Sequence, residues 1–213
     1  MTWTSAFGNV CGKLLHVIVN RMALARISPN LLTFLGLVID TVAAFLFGYA
    51  NADNQAKMFF YAGLVIFGSG FFDLVDGRVA RASNKVTRFG AFFDSVVDRY
   101  SDAALFFGLL VYYARGGRFF YVALVALAMI SSVMVSYARA RAESLIGTCK
   151  VGFMERPERL VLLIIGAIFN RMAPVLWVIA ALSTITVAHR IYFTWQETER
   201  MDAAAASAGR SAA

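Results

Sequence analysis

Long apolar runs separated by short charged segments constrain this chain more than any other feature. A helix needs about 20 largely apolar residues to cross a bilayer. Six such runs can be drawn: Leu31 to Ala50, Met58 to Val79, Phe89 to Ala114, Phe119 to Ala138, Leu160 to Asn170 with its flanks, and Pro174 to Trp195. In hydrocarbon every backbone N–H and C=O must find its partner within the chain, which leaves helices for segments of this length. The expected fold is therefore all-α: a polytopic membrane protein with six transmembrane helices. A hydrophobic fraction of 60% and a mean hydropathy of +0.67 agree, being too apolar for a soluble globular domain. The fifth run is the weakest, because Arg156 and Arg159 stand at its entrance. No cleavable signal is expected, so the first run would serve as the insertion signal.

Residues 1–28 carry a different pattern. Val10, Leu14, Leu15, Val17, Ile18 and Met22 alternate at helical spacing with Asn9, Lys13, His16 and Arg21. This suits an amphipathic helix lying in the membrane interface, although a helix packed on the bundle would show the same pattern. The domain reading is an interfacial helix over 1–28, a six-helix transmembrane domain over 29–197, and a tail over 198–213. From Met201 the tail is rich in Ala and Ser and is expected to be disordered.

Basic residues fall unevenly on the two sides that six crossings create. With the amino terminus in the cytoplasm, sixteen of the 20 Lys and Arg lie on that side, leaving only Lys57, Arg115, Arg118 and Arg171 opposite. The positive-inside rule then places both termini in the cytoplasm of a multi-pass cell-membrane protein. The net charge of +7 follows this topology, so the expected partner is the lipid bilayer, with attraction to anionic headgroups, and not nucleic acid.

Asp73, Asp76, Asp94 and Asp98 stand where the second and third runs meet. Carboxylates there are expensive and need compensation. At about 100° per residue, Asp73, Asp76, Gly77 and Ala80 share one helix face, while Gly90, Asp94 and Asp98 stripe the next helix. Facing acidic stripes repel unless a cation joins them. An oxygen-only cluster suits a hard divalent ion and argues against zinc. Gly77, Ala80 and Gly90 leave room for a ligand near the backbone, and Arg78, Arg81, Lys85 and Arg88 supply charge for phosphate. Asp40 lies mid-span and needs a partner, Arg78 or another group of the bundle. Asp102, one turn beyond Asp98, could bind metal indirectly or pair with Arg99 or Lys85.

The string Asp73-x2-Asp76-Gly77-x2-Ala80-Arg81-x8-Gly90-x3-Asp94-x3-Asp98 resembles, at every fixed position and gap, the signature of the CDP-alcohol phosphotransferase family of integral membrane enzymes. The resemblance implies Asp73, Asp76, Asp94 and Asp98 at Mg²⁺ or Mn²⁺, with two ions. It also implies that Asp73, Gly77, Ala80, Arg81 and Thr87 help hold a CDP-linked lipid, most simply CDP-diacylglycerol. Pro29-Asn30-x2-Thr33 is similar to a family element that reaches the nucleotide phosphates. Asn30 and Thr33 are therefore candidate contacts, although helix capping by Ser28 or Asn30 explains this stretch equally well. Asp98, a turn beyond Asp94, is the expected general base toward the acceptor hydroxyl. The family also implies a homodimer.

A second constellation concerns the acceptor. Ser136 and Arg139 share a face at the end of the fourth run, Arg159 opens the fifth within Glu155-Arg156-Pro157-Glu158-Arg159, and Arg190 closes the sixth. Each arginine alone could snorkel to the interface; together they favour an anion pocket. Asp94-Ser95-x2-Asp98-Arg99, Ser136-Tyr137-x-Arg139-Ala140-Arg141-Ala142-Glu143 and the Glu155–Arg159 stretch resemble the phosphatidylinositol phosphate synthases within the family. There, a Ser, a Lys and two Arg hold inositol phosphate, matching Ser136, Arg139, Arg159 and Arg190, with Arg139 replacing the Lys. The implied reaction moves the phosphatidyl group of CDP-diacylglycerol to a water-soluble phosphorylated alcohol, most simply inositol phosphate, and releases CMP. Glycerol 3-phosphate is the alternative acceptor. A divalent-cation transporter would also bury acids, but would not need Gly77, Ala80, Arg81 and Gly90 at these intervals. Cys11 and Cys149 fall on the reducing side, where a disulfide is not expected, and His16 and His189 are too far apart in sequence for a metal site.

Overall fold

A computed structural model describes the backbone of residues 28–82 and 87–211; side chains at 71, 72, 74–82 and 208–211 are outside the description. The interfacial helix expected over residues 1–28 therefore lies outside the described residues, as do Cys11, His16 and Lys85.

Among the described residues the secondary structure is entirely helical, in six elements: α1 (Pro29–Tyr49), α2 (Gln55–Ala82), α3 (Arg88–Arg115), α4 (Phe119–Ile146), α5 (Arg156–Ile168) and α6 (Met172–Ser211). Each expected apolar run is matched by one helix, and their boundaries have local causes. Pro29 opens α1 after an extended Ser28, since proline's fixed φ suits the first helical turn and its missing N–H costs nothing there. Ser28 holds the cap position but makes no side-chain cap bond. Thr87 caps α3 by accepting a hydrogen bond from the Gly90 N–H at 2.9 Å. The backbone N–H of Glu155 donates to Glu158 Oε2 at 3.1 Å at the start of α5. Between α5 and α6, Asn170 adopts a left-handed φ of 51°. Its side-chain oxygen accepts from Gln55 Nε2 at 2.9 Å, tying that turn to the start of α2.

The principal packing partners close a ring: α1 lies against α3, α3 against α4, α4 against α6, α6 against α5, α5 against α2, and α2 against α1. Phe47, Phe59, Ile66, Leu105, Leu109, Val125, Leu163 and Leu176 fill its interior. Away from the aspartates, edge-to-face contacts link Phe47 to Phe59 at 5.0 Å and Phe59 to Tyr112 at 4.9 Å, an arrangement favoured by the ring quadrupoles. Helices α1 and α3 touch backbone to backbone at Gly108, where an added Cβ would lie 2.2 Å from the Ala44 carbonyl oxygen. Outward faces carry large apolar side chains, including Phe45, Phe67, Phe107 and Trp177, as contact with lipid would require.

Helices α1 and α4, and α6 from Met172 to Ser207, are long and apolar enough to cross a membrane. In α3 the acids and Arg99 occupy the first half, leaving Ala103 to Ala114 as its uninterrupted apolar run. Helix α5 has 13 residues and rises about 20 Å, less than the hydrocarbon thickness of about 30 Å. One expectation is corrected. The tail from Met201 is not irregular, because α6 runs on to Ser211. Its alanines have the highest intrinsic helix propensity and extend a helix already nucleated by the bundle.

Candidate active site

Asp73 on α2 and Asp98 on α3 face the same space. There the guanidinium of Arg156, from the first turn of α5, hydrogen-bonds Asp73 and lies 3.1 Å from Asp98. Two further acids ring the same cation: Asp102 at 3.7 Å and Asp40, from the middle of α1, at 3.8 Å. Asp94 lies a turn before Asp98, more exposed, within electrostatic range of Asp73, Arg156 and Arg99. The Asp76, Gly77, Ala80 and Arg81 side-chain positions fall outside the described residues, although their backbone continues α2.

Arg156 was not among the candidate site residues of the sequence, yet it is the group around which the acids gather. The signal for it was indirect: Asp40 and Asp102 are more acid than the signature uses, and buried acids need a cation. Asp40 pairs with Arg156. Asp102 is held by Arg159, which hydrogen-bonds it, instead of by Arg99; Arg99 turns back to the Ser95 carbonyl. Arg99 shares a helix face with Asp102, but its guanidinium is taken up by its own helix's i−4 carbonyl, whereas α5 brings the buried Arg159 against Asp102.

The residues fit a hard divalent cation in chemistry: carboxylate oxygen donors only, on facing helices, already gathered about a positive charge. Among the described residues, no three acids, histidines or cysteines stand close enough together to hold one ion, and Asp76 is not among the described side chains.

At Glu155, the residue before Arg156, a second cluster is built from arginines and glutamates. Glu155 Oε1 accepts hydrogen bonds from Arg139 at 2.8 Å and from Arg190 at 3.0 Å. Arg139 also pairs with Glu143 at 2.9 Å. Arg190 is almost fully buried and additionally donates to the Val135 and Val151 carbonyls, at 2.6 and 2.9 Å. Arg159 is equally buried, with its Nε and one terminal nitrogen free of any hydrogen bond. Three helices thus bring Arg139 and Arg190 onto one carboxylate and place Arg159 next along α5, while Ser136, half-buried, adjoins the Val135 carbonyl that Arg190 holds. Because Glu155 and Arg156 are consecutive, the arginine cluster and the aspartate cluster are contiguous.

The nucleotide-side candidates also meet. An added Cβ on Gly90 would lie 3.0 Å from Thr87 Oγ1 and 3.3 Å from Asn30 Oδ1, so the missing side chain lets both polar groups approach the start of α3. Thr33 is buried a turn beyond, its hydroxyl donating to the Pro29 carbonyl at 3.2 Å. An apolar cavity of about 400 Å³ opens between α2 and α5, lined by Ile66, Phe67, Gly70, Leu160 and Ile164, with Asp73 and Arg156 at its polar end.

Residues 26–196 match the family model for CDP-alcohol phosphatidyltransferases. The chain belongs to this family. As a CDP-alcohol phosphatidyltransferase it is similar to the archaetidylinositol phosphate synthase of Pyrococcus horikoshii, 38% identical over 172 residues, which span 80% of this chain and 85% of that one. Among solved structures it resembles the phosphatidylinositol phosphate synthase of Mycobacterium tuberculosis with CDP-DAG bound. The TM-score is 0.77 at 30% identity, covering 86% of this chain and 94% of that one. The same protein in complex with manganese and citrate superposes with a TM-score of 0.73, covering 85% of this chain and 88% of that one. The family membership makes this chain an enzyme of lipid phosphoryl transfer. It leaves the acceptor to be argued from the site.

Proposed function

We propose that this enzyme transfers the phosphatidyl group of CDP-diacylglycerol to inositol phosphate, giving phosphatidylinositol phosphate and CMP. The observation that carries the reading is the adjacency of two groups of charges: acids on α2 and α3 around Arg156, and Arg139 and Arg190 of α4 and α6 meeting on the neighbouring Glu155, with Arg159 of α5 held on Asp102. A charged diphosphate needs the first cluster with its metal, and a phosphate on the acceptor needs the second. The relatives named above use an inositol phosphate acceptor by their names, and one of them binds CDP-DAG, which supports the same chemistry here.

Asp73, Asp76, Asp94 and Asp98 would hold the divalent cation, Mg²⁺ or Mn²⁺, as one ion or two. When bound it supplies charge neutralisation for the diphosphate and for departing CMP. Asn30, Thr33, Thr87, Gly77, Ala80 and Arg81 line the nucleotide side. The cavity between α2 and α5 accommodates an acyl chain while its glycerol phosphate reaches Asp73. Ser136, Arg139, Arg159 and Arg190 orient the acceptor by its phosphate, leaving a ring hydroxyl toward Asp98. Asp98 takes that proton as the hydroxyl oxygen bonds the lipid-bearing phosphorus, and the bond from that phosphorus to the CMP oxygen breaks. Asp98→Asn enzyme should lose most CMP release; wild-type turnover would remove Asp98 from the role. Equal CMP release with glycerol 3-phosphate and inositol phosphate would overturn the acceptor.

The membrane arrangement belongs to the same proposal: six crossings, an interfacial segment before α1, the aspartate end facing the cytoplasm at the cell membrane, and a homodimer. Labelling single cysteines near Asp53 and Glu155 from either side of intact cells tests the orientation, and in-membrane cross-linking tests the dimer.

A further inference from the structure

Arg156 stands among four carboxylates at unequal distances. It hydrogen-bonds Asp73 and lies 3.1 Å from Asp98, two of the four acids of the signature. It stays 3.7 Å from Asp102 and 3.8 Å from Asp40, two acids outside the signature whose side chains are only 7% and 1% exposed. No well-formed hydrogen bond reaches either carboxylate oxygen of buried Asp40 or the Nε of Arg156, although the Ser69 and Ser101 hydroxyls stand near Asp40. Unsatisfied buried polar groups of this kind are costly, and here the Arg156 Nε stands 3.7 Å from Asp102 Oδ1 while a terminal nitrogen stands 3.8 Å from Asp40 Oδ2. A shift of the guanidinium on the order of an ångström would bring Asp40 within hydrogen-bond range. The same shift would free Asp73 and Asp98.

We propose that Arg156 is a two-position counter-cation. In the metal-free protein it clamps the signature acids Asp73 and Asp98; when the divalent ion binds, it withdraws to the buried acids Asp40 and Asp102. Like charges on Asp73 and Asp98 cannot remain close without a cation, and a planar guanidinium with five donors can serve several carboxylates at once. Asp40 and Asp102 then have a function separate from metal ligation: they are positioning residues that draw Arg156 out of the ion's space. The exchange keeps the interior near electrical balance in both states, so the acid cluster does not have to come apart between turnovers.

This inference rests on the metal-dependent reading above, and its test separates the two. Mn²⁺ is titrated into the detergent-solubilised full chain, with free ion followed by electron paramagnetic resonance and folding checked by thermal melting. Arg156→Gln is expected to bind Mn²⁺ more tightly, on the order of tenfold, as removal of a competing charge-assisted pair requires. Asp40→Asn is expected to bind it several-fold more weakly, on the order of the same interaction, because Arg156 loses its second position. In Asp40→Asn/Arg156→Gln the effect of the Asp40 change should vanish, which a purely structural role of Asp40 would not produce. Unchanged or weaker binding by Arg156→Gln, or an Asp40 effect that persists without Arg156, overturns the exchange. Should Arg156→Gln not fold, the wild-type Arg156 Nε–H resonance must move in step with Mg²⁺ saturation, and a stationary resonance overturns the exchange. Absence of Mn²⁺ binding by wild-type protein would sink the metal reading with it.

Discussion

The pair formed by Asp102 and Arg159 is the most exposed to a single change, because Arg159 is 1% accessible and carries a charge with no other hydrogen-bonded acid. Two of its nitrogens are already unpartnered. Asp102→Asn conserves shape and removes the compensating charge, leaving a buried guanidinium alone. Breaking a buried pair from one side costs about 3–5 kcal/mol, and a chain of this size moves by roughly 2–4 °C in Tm per kcal/mol. The melting temperature should therefore fall by roughly 6–20 °C, read by tryptophan fluorescence in detergent. Arg156, 3.7 Å from Asp102, keeps Asp73 and Asp98 and adds little to the loss. Replacing both members with apolar residues, Asp102→Leu with Arg159→Met, should recover most of the stability, since no charge is then buried. A fall of less than about 2 °C, or a double variant no more stable than Asp102→Asn, would refute the reasoning.

Two glycines give sharper local tests. Gly108→Ala drives a Cβ to 2.2 Å from the Ala44 carbonyl oxygen, backbone that cannot rotate away; a loss near or above the usual overpacking cost of about 1–3 kcal/mol is expected in a chemical or thermal melt. Gly152 has a φ of 99°, and an added Cβ would meet Thr186 Cγ2 at 2.4 Å with Arg190 Nε at 3.4 Å. Gly152→Ala should therefore lower stability by about 1–3 kcal/mol and raise KM for inositol phosphate more than it lowers kcat, through displacement of Arg190.

Apolar run length is a local property, so the six helices are legible residue by residue, and the observed starts at Pro29, Arg88 and Arg156 follow from a first-turn proline, the Thr87 cap and the Glu155–Glu158 contact, all close in sequence. The acidic stripes are legible for the same reason: a spacing of three or four residues places Asp94 above Asp98 and Asp73 above Asp76 in any helix. The convergence of Arg139 and Arg190 was readable only as a tendency, and Glu155 as the group on which they meet was not.

What local pattern cannot encode is which charge answers which. Asp40 and Arg156 are far apart in the chain, and they meet because the ring closes α1 onto α2 and α2 onto α5, turning one face of each helix inward. The same closure gives Asp102 to Arg159 and leaves Arg99 to its own helix. Helical periodicity sets the faces, but the order of helices around the ring is decided by packing, as at the Gly108 contact with Ala44. Long-range electrostatic partners are therefore a product of assembly, since a buried carboxylate takes whichever cation the packed neighbours bring within a few ångströms.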